Sequence, residues 1–131
     1  MGTKYLIDSN AVIDYLRGSL PAAGMAFMHT VINDIPKVSI ITKIEVLGFN
    51  TTPQAYQILS DFFEDALVLA LSDEIAQATI ELRKNYKIKL PDALIAATAL
   101  IYNLSVISRN TSDFAKINGL NCVNPHKLQK A

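Results

Sequence analysis

Short apolar runs alternate along the chain with longer segments in which apolar residues recur at helical spacing. The pattern predicts strands at residues 4–8, 38–41, 66–71, 104–108 and 121–124. It predicts helices at residues 10–17, 21–34, 42–48, 53–65, 73–86, 91–102 and 113–117. Strands that alternate with helices are typical of a parallel sheet with right-handed crossovers and helices on both faces. The sequence therefore predicts an α/β protein, a three-layer α/β/α sandwich around a central parallel sheet.

Two details of this pattern are specific enough to be tested. The run at residues 66–71 is apolar without alternation, which predicts a strand that is covered on both faces. Thr42 is predicted to cap the third helix, and its spacing from Glu45 matches a capping box. Glu45 is then expected in the first turn of that helix.

Composition limits the domain organisation and the class of protein. The 131 residues are 50% hydrophobic and contain no linker or repeat, so we expect a single domain over residues 1–131. The single cysteine, Cys122, excludes an intrachain disulfide and a cysteine-based zinc site. No apolar run approaches the ~18 residues of a membrane span, and no signal peptide is recognisable, so we expect a cytoplasmic protein without membrane contact.

Net charge excludes some partners but leaves room for a local charged site. Lysine and arginine number 12, as do aspartate and glutamate, so the formal net charge is zero. This balance argues against a strongly basic nucleic-acid coat protein and against an acidic tail. It says nothing against a cluster of like charges at one place in the fold.

Several acidic residues are predicted to lie at one edge of the sheet. In a parallel α/β sheet the carboxyl ends of strands share an edge with the N-termini of helices, and ligands bind there. Asp8 ends the first strand, and Glu45 follows the second. Asp92 lies in the first turn of the helix before the fourth strand, and Asp113, preceded by Asn110, follows that strand. The edge therefore carries four candidate carboxylates.

Each of these acids also has a structural interpretation. Asp8 is suited to an Asx turn or a helix cap, and Asp92 and Asp113 are suited to helix N-termini, where they complement the dipole. Asp73 falls on the same edge, but Ser72-Asp73-Glu74 is an ordinary acidic first turn. Taken singly, each acid is explained without any function.

Taken together, the acids indicate a metal site. Asp92 lies in the almost wholly apolar segment 90–100, and no lysine or arginine occurs between Pro91 and Ser108. A carboxylate in such surroundings is costly unless a partner comes from elsewhere in the fold. Converging carboxylates repel one another, and a divalent cation relieves that repulsion. Ligation by oxygen alone favours Mg²⁺ or Mn²⁺.

The segments that carry these acids resemble the motifs of a known family. They are Leu6-Ile-Asp-Ser-Asn10, Lys43-Ile-Glu45, Leu90-Pro-Asp-Ala-Leu-Ile-Ala-Ala-Thr98 and Ser108-Arg-Asn-Thr-Ser-Asp-Phe114. In this order and spacing they resemble the PIN-domain nucleases, and the length resembles the VapC-type toxins of toxin–antitoxin modules. The resemblance covers essentially the whole chain. It implies a catalytic and metal-binding quartet of Asp8, Glu45, Asp92 and Asp113, supported by Asn110, Ser9 and Asn10.

The resemblance also implies an activity and partners. The expected activity is that of a Mg²⁺- or Mn²⁺-dependent endoribonuclease, which hydrolyses RNA to leave 5′-phosphate and 3′-hydroxyl ends. The expected partners are an RNA substrate, a second copy of the chain in a homodimer, and an antitoxin that blocks the site. A housekeeping RNA-processing nuclease and a catalytically silent PIN-like binding module remain alternatives. A receiver-type signalling domain fits poorly, because no lysine closes the last predicted strand.

The remaining polar residues carry weaker signals. Asp14 lies six residues past Asp8 and is expected to point elsewhere on its helix. His29 and His126 are isolated in the sequence, with no partner at metal-ligand spacing. The cations that flank the motifs are suited either to phosphate contact or to a solvated surface; they are Lys43, Lys87, Lys89 and Arg109.

Overall fold

A computed structural model of the protein describes residues 4–128. Its five strands form one sheet in the order β3-β2-β1-β4-β5, with every neighbouring pair parallel. The strands are β1 (Tyr5–Ile7), β2 (Lys37–Ser39), β3 (Leu67–Leu69), β4 (Ser105–Ile107) and β5 (Cys122–Val123). The prediction of a central parallel sheet is confirmed.

Helices cover both faces of this sheet. They are α1 (Ser9–Leu16), α2 (Ala22–Asn33), α3 (Ile40–Leu47), α4 (Pro53–Asp65), α5 (Asp73–Asn85), α6 (Leu90–Tyr102) and α7 (Thr111–Ala115). Two separate apolar cores result. Leu6 and Val106 pack in the core that contains α5, α6 and α7, whereas their chain neighbours Ile7 and Ile107 pack in the core formed with α1 to α4. Because successive strand residues face opposite sides, the three-layer prediction is confirmed.

The order of the strands creates a switch point between β1 and β4. From β1 the chain builds outward through β2 and β3, then crosses back and adds β4 and β5 on the other side. The connections that follow β1 and β4 therefore diverge, which leaves a crevice at the carboxyl ends of these two strands. Ile7 pairs with Ile107 in register, so the next residues, Asp8 and Ser108, meet at the mouth of this crevice.

The predicted boundary between the second strand and the third helix was wrong. Strand β2 ends at Ser39, and Ile40 and Ile41 already belong to α3. Ser39 is the N-cap, because its hydroxyl accepts a 3.2 Å hydrogen bond from the amide of Ile41. The side-chain cap thus overrides the β propensity of the two isoleucines. Thr42 is not a cap: it is fully buried inside the helix, and its hydroxyl has no hydrogen-bond partner in the structure.

The prediction that the third strand is covered on both faces holds for only part of it: Leu69 is buried in one core, and Val68 packs against the other. Strand β3 spans only three residues and lies at the edge of the sheet. Leu67, in the strand, and Leu71, just after it, are each about half exposed, whereas Leu69 is buried. An edge position leaves one side of the strand without a neighbour, so an apolar sequence there does not require full burial.

The helices are those of a globular α/β protein in length. Among residues 4–128, no helix is both long enough and apolar enough to span a lipid bilayer.

The half-buried Cys122 lies in β5, and burial raises the pKa of its thiol to about 11. This thiol is therefore protonated at neutral pH and packs as a small, weakly polar side chain.

Candidate active site

Asp8 forms the floor of the crevice. It follows β1 directly, is almost fully buried, and its backbone amide donates to the carbonyl of Ile107 in β4. One carboxylate oxygen, Oδ1, accepts a 2.8 Å hydrogen bond from the amide of Ser9, which makes Asp8 the N-cap of α1. The other oxygen, Oδ2, accepts hydrogen bonds from the hydroxyl of Ser108 at 2.8 Å and from the side-chain nitrogen of Asn10, Nδ2, at 3.3 Å. The carboxylate is therefore held in one orientation by three donors.

The surroundings of Asp8 raise its pKa above the ordinary value. Burial is the main cause, and the nearby carboxylates of Asp92 and Glu45 add to it. The hydrogen bonds from Ser108 and Ser9 act in the opposite direction and are outweighed. A buried carboxylate whose pKa is raised by two nearby carboxylates is a candidate cation ligand.

Asn110 joins the second pair of acids. Its side-chain nitrogen donates to Asp92 Oδ2 at 3.1 Å and to Asp113 Oδ2 at 3.0 Å. Its backbone amide donates to the hydroxyl of Ser108 at 3.0 Å, the same hydroxyl that donates to Asp8. The loop after β4 thus connects three of the four acids through two side chains.

The pKa of Asp92 is also raised. Partial burial is the largest cause, followed by the charges of Asp113 and Glu45. Lys89 and the hydrogen bond from Asn110 lower this pKa but do not cancel the rise. Lys89, the cation that lowers this pKa, lies just before α6, and the helix itself contains no lysine or arginine. The like charges of Asp113 and Glu45 therefore disfavour the ionised form of Asp92.

Glu45 reaches the site from the second turn of α3, not from the first as the sequence pattern predicted. The earlier start of the helix at Ile40 explains the difference, and the capping-box interpretation of Thr42 and Glu45 is wrong for the same reason. Glu45 Oε1 accepts a 2.7 Å hydrogen bond from the hydroxyl of Ser9, whose backbone amide donates to Asp8. Ser9 therefore links the exposed acid at the rim to the buried acid at the floor.

The structure brings every predicted site residue into this one region. Asp8, Ser9, Asn10, Glu45, Asp92, Asn110 and Asp113 are connected by hydrogen bonds or by mutual charge effects. Asp73 is exposed at the start of α5, and it is not among the charges that shift Asp8 or Asp92. Asp113 has a further partner, Lys116, at 3.6 Å.

The donor set suits a hard divalent cation, although the side chains do not outline a complete coordination shell. In the part of the chain described, no three histidine, cysteine, aspartate or glutamate side chains are arranged to hold a metal ion. The acids are instead linked through Ser9, Ser108 and Asn110. The donors available are carboxylate oxygens whose charges repel one another, and this chemistry fits Mg²⁺ or Mn²⁺.

A second polar cluster lies beside the site and was not predicted. Asp14 is buried on α1; its Oδ2 lies 2.8 Å from His126 Nε2 and 3.4 Å from Arg109 Nη1. His126, which has no partner at metal-ligand spacing in the sequence, contacts Asp14 across the fold. The pair joins residues 112 positions apart, and no local pattern encodes such a contact.

The fold and the acidic edge define a class of protein, an α/β domain with an acidic ligand site at the switch point of a parallel sheet. The family model of the PIN domain matches residues 5–120 of this chain. The chain therefore belongs to the PIN domain family. PIN domains are generally nucleases, and PIN nucleases typically use divalent metal ions.

Solved structures agree with this assignment. A chain of the toxin-antitoxin complex from Klebsiella pneumoniae is 32% identical, with a TM-score of 0.74, and the match covers 95% of this chain and 100% of that one. A chain of VapBC-1 from nontypeable Haemophilus influenzae is 21% identical with a TM-score of 0.79, covering 95% and 100%. A chain of DNA-bound VapBC from Salmonella typhimurium is 22% identical with a TM-score of 0.78, covering 95% and 99%. The comparison with curated proteins gave no match.

Proposed function

We propose that the protein is a Mg²⁺- or Mn²⁺-dependent endoribonuclease and the toxin of a toxin–antitoxin module. The observation that carries the proposal is the set of four acids at the switch point of a PIN domain, which Ser9, Ser108 and Asn110 link by hydrogen bonds and in which Asp92 is repelled by Asp113 and Glu45. The similarity to a chain of the Klebsiella pneumoniae toxin-antitoxin complex supports the toxin role. In this proposal the protein acts in the cytoplasm, where its RNA substrate is found.

The four acids have separate roles in the proposed reaction. Asp8 and Asp92 would hold the metal directly, and Glu45 and Asp113 would complete the site or orient the attacking water. A bound divalent ion would lower the pKa of a water molecule and stabilise charge on the phosphate. The water oxygen forms a bond to phosphorus as its proton passes to solvent, and the bond from phosphorus to the 3′ oxygen breaks as that oxygen takes up a proton from solvent. The products carry a 5′-phosphate and a 3′-hydroxyl.

Supporting residues give this site its geometry. Ser108 and Asn10 fix Asp8 Oδ2, and Ser9 fixes Asp8 Oδ1, so the buried ligand needs no rearrangement of its own to meet a cation. Asn110 keeps Asp92 and Asp113 close despite their like charges. Loss of either support weakens metal binding without removing a ligand.

A groove beside the site is suited to the proposed antitoxin. Its volume is about 640 Å³, and one end of it reaches Asn10, whose amide contacts Asp8. The walls come from α1 and its C-cap, α3, α4, the segment between α3 and α4, and the loop after β4. The polar lining residues are Asn10, Asp14, Arg17, Thr51 and Arg109, and the rest are apolar: Ile13, Leu16, Val46, Phe49, Ala55, Ile58 and Leu59. An amphipathic antitoxin segment fits such a groove. An arginine on it can reach the carboxylates and block the site without metal.

Incubation of the purified chain with RNA tests the activity. Cleavage should require Mg²⁺ or Mn²⁺, should stop in excess chelator, and should give 5′-phosphate ends. Undiminished cleavage in chelator contradicts metal dependence, and no cleavage with either metal leaves the silent binding module as the better description. Light scattering on the same sample tests the proposed homodimer.

Expression in a host without the neighbouring gene separates the toxin from a housekeeping nuclease. Arrest of growth by the wild-type chain, relieved by a small co-encoded protein, supports the toxin. Harmless expression of a chain that cleaves RNA in vitro favours a housekeeping RNA-processing enzyme.

A further inference from the structure

Arg109 lies inside the site loop, yet its side chain is turned away from the acids. The residue before it, Ser108, donates to Asp8, and the residue after it, Asn110, donates to Asp92 and Asp113. The backbone amide of Arg109 donates to Asn10 Oδ1 at 3.0 Å. Its guanidinium nevertheless pairs with Asp14, with Nη1 lying 3.4 and 3.5 Å from the two carboxylate oxygens.

Asp14 is a fixed anchor for this arginine. Only 6% of the residue is exposed, and a buried carboxylate of this kind requires partners. His126 supplies the shorter contact at 2.8 Å, and the backbone amide of His126 donates to Asn124 Oδ1 at 2.9 Å. The adjoining carbonyl of Pro125 packs so closely on Gly24 of α2 that a Cβ at that glycine has no room. The turn at the end of β5 therefore contacts Asp14 through His126, at the same carboxylate oxygen, Oδ2, that Arg109 Nη1 approaches.

The acids of the site do not benefit from the charge of Arg109. Lys89 is the cation that lowers the pKa of Asp92, and only hydrogen bonds lower the pKa of Asp8. An arginine released from Asp14 has alternative partners in the carboxylates that the neighbouring residues Ser108 and Asn110 contact, since guanidinium binds carboxylates in a bidentate manner and stays charged. In that position it would occupy the oxygens that are needed for a metal ion.

We propose that Asp14 is a positioning residue that holds Arg109 outside the acidic site and so keeps the carboxylates free for a divalent cation. The proposal rests on the metal-dependent function proposed above. It explains why a buried acid, which is costly to keep, lies on α1 about 1.7 helical turns after Asp8. It also gives the contact from His126 a role, because that contact fixes the acid that holds the arginine.

A double-mutant cycle on the full chain tests this role. Mn²⁺ binding is measured by calorimetry for the wild type, Asp14→Asn, Arg109→Gln and the double variant. We expect Asp14→Asn to weaken Mn²⁺ binding by about tenfold, in the range of coupling between contacting charged residues. Adding Arg109→Gln should restore the affinity to near the wild-type value, because the competing cation is gone. Thermal unfolding of each variant checks that the fold is kept.

Matched controls separate this effect from a change of net charge. Asp73→Asn and Arg83→Gln change the same residue types at exposed positions of α5, in the helical layer that lies across the sheet from α1. They should leave Mn²⁺ binding unchanged. A double variant that binds Mn²⁺ as weakly as Asp14→Asn overturns the proposal, because Asp14 then acts only through the fold. If Arg109→Gln raises KM for RNA and the double variant does not recover Mn²⁺ affinity, the proposal is overturned, and Arg109 is better described as a contact to the RNA phosphates.

A crystal structure of Asp14→Asn without metal supplies an independent measurement. The guanidinium of Arg109 should lie on Asp8, Asp92 or Glu45. An arginine that stays in place or turns to solvent contradicts the proposal even if the wild type binds Mn²⁺ and cleaves RNA. Conversely, a wild type that binds no Mn²⁺ contradicts the proposed function alone, and the position of Arg109 still decides its relation to Asp14.

Discussion

The hydroxyl of Ser108 donates a 2.8 Å hydrogen bond to Asp8 Oδ2 across the boundary between β4 and β1. The same hydroxyl accepts from the side chain of Asn10 and from the backbone amide of Asn110, both at 3.0 Å. One fully buried oxygen atom thus connects the floor of the site to the loop that carries Asn110 and Asp113.

Replacement of this hydroxyl should affect both stability and activity. Ser108→Ala removes a donor to Asp8, takes away the acceptor of the Asn110 backbone amide and leaves the Asn10 side chain only its longer bond to Asp8, which should lower the free energy of unfolding by about 1–3 kcal/mol. RNA cleavage should fall by about 10- to 100-fold, the usual effect of losing a group that orients a metal ligand. Ser105→Ala, at the buried start of β4 and away from the acids, is the matched control for urea unfolding and cleavage assays. Equal effects of the two variants on cleavage would contradict the role of Ser108.

Asp92→Asn should abolish cleavage and preserve the fold. The amide is nearly the same shape but offers no charge to a cation, so activity should fall by more than about 100-fold, beyond what supporting residues typically cost. Stability without metal should not fall, because the charges of Asp113 and Glu45 repel the ionised carboxyl. Circular dichroism and cleavage assays with Mg²⁺ check both parts. Wild-type cleavage by this variant would remove Asp92 from the site.

The sequence predicted which acids lie at one edge of the sheet more closely than it predicted where the helices and strands begin and end. Asp8 and Asp92 were found because chain order alone places strand ends and helix starts at one edge of a parallel sheet. The start of α3 was misplaced because the hydroxyl of Ser39 ends β2 before two isoleucines that favour strands. The pair of Asp14 and His126 could not be found, because it depends on how the turn after β5 packs against α1.

Stability should fall as pH rises through the titration of the site acids. Folding raises the pKa of Asp8 and of Asp92, so between the ordinary value and the raised value the folded state binds more protons than the unfolded state. The contribution of these groups is therefore most favourable at low pH and is lost as each carboxyl ionises. Urea unfolding from about pH 4 to about pH 7 should show a smaller loss in Asp92→Asn than in the wild type. Parallel curves for the two proteins would contradict the shift.

Divalent metal should offset this loss at neutral pH. A ligand that binds only the folded protein stabilises it by mass action, by about 2.7 kcal/mol when its free concentration is 100 times Kd. Thermal unfolding should shift upward with Mn²⁺ and return after chelation, and the shift should shrink in Asp8→Ala. Ca²⁺ at the same concentration serves as a control for ionic strength and for preference among hard cations. An equal shift in Asp8→Ala would place the binding elsewhere.

A substitution in the apolar groove should prevent neutralisation of the toxin by its antitoxin and leave RNA cleavage unchanged. Phe49 is 68% exposed on the groove wall and makes no hydrogen bond to the acids, so Phe49→Asp should leave metal-dependent RNA cleavage intact. Loss of an aromatic anchor and burial of a charge should weaken binding of the co-encoded antitoxin by at least about tenfold. Cells that carry both genes should then stop growing.

Ile80→Asp, at an exposed apolar position on α5 outside the groove, should remain neutralised. Asp8→Ala should be harmless yet still bind the antitoxin, because most of the apolar contact area lies away from the acids. Antitoxin affinity that is unchanged in Phe49→Asp would place the partner on another surface.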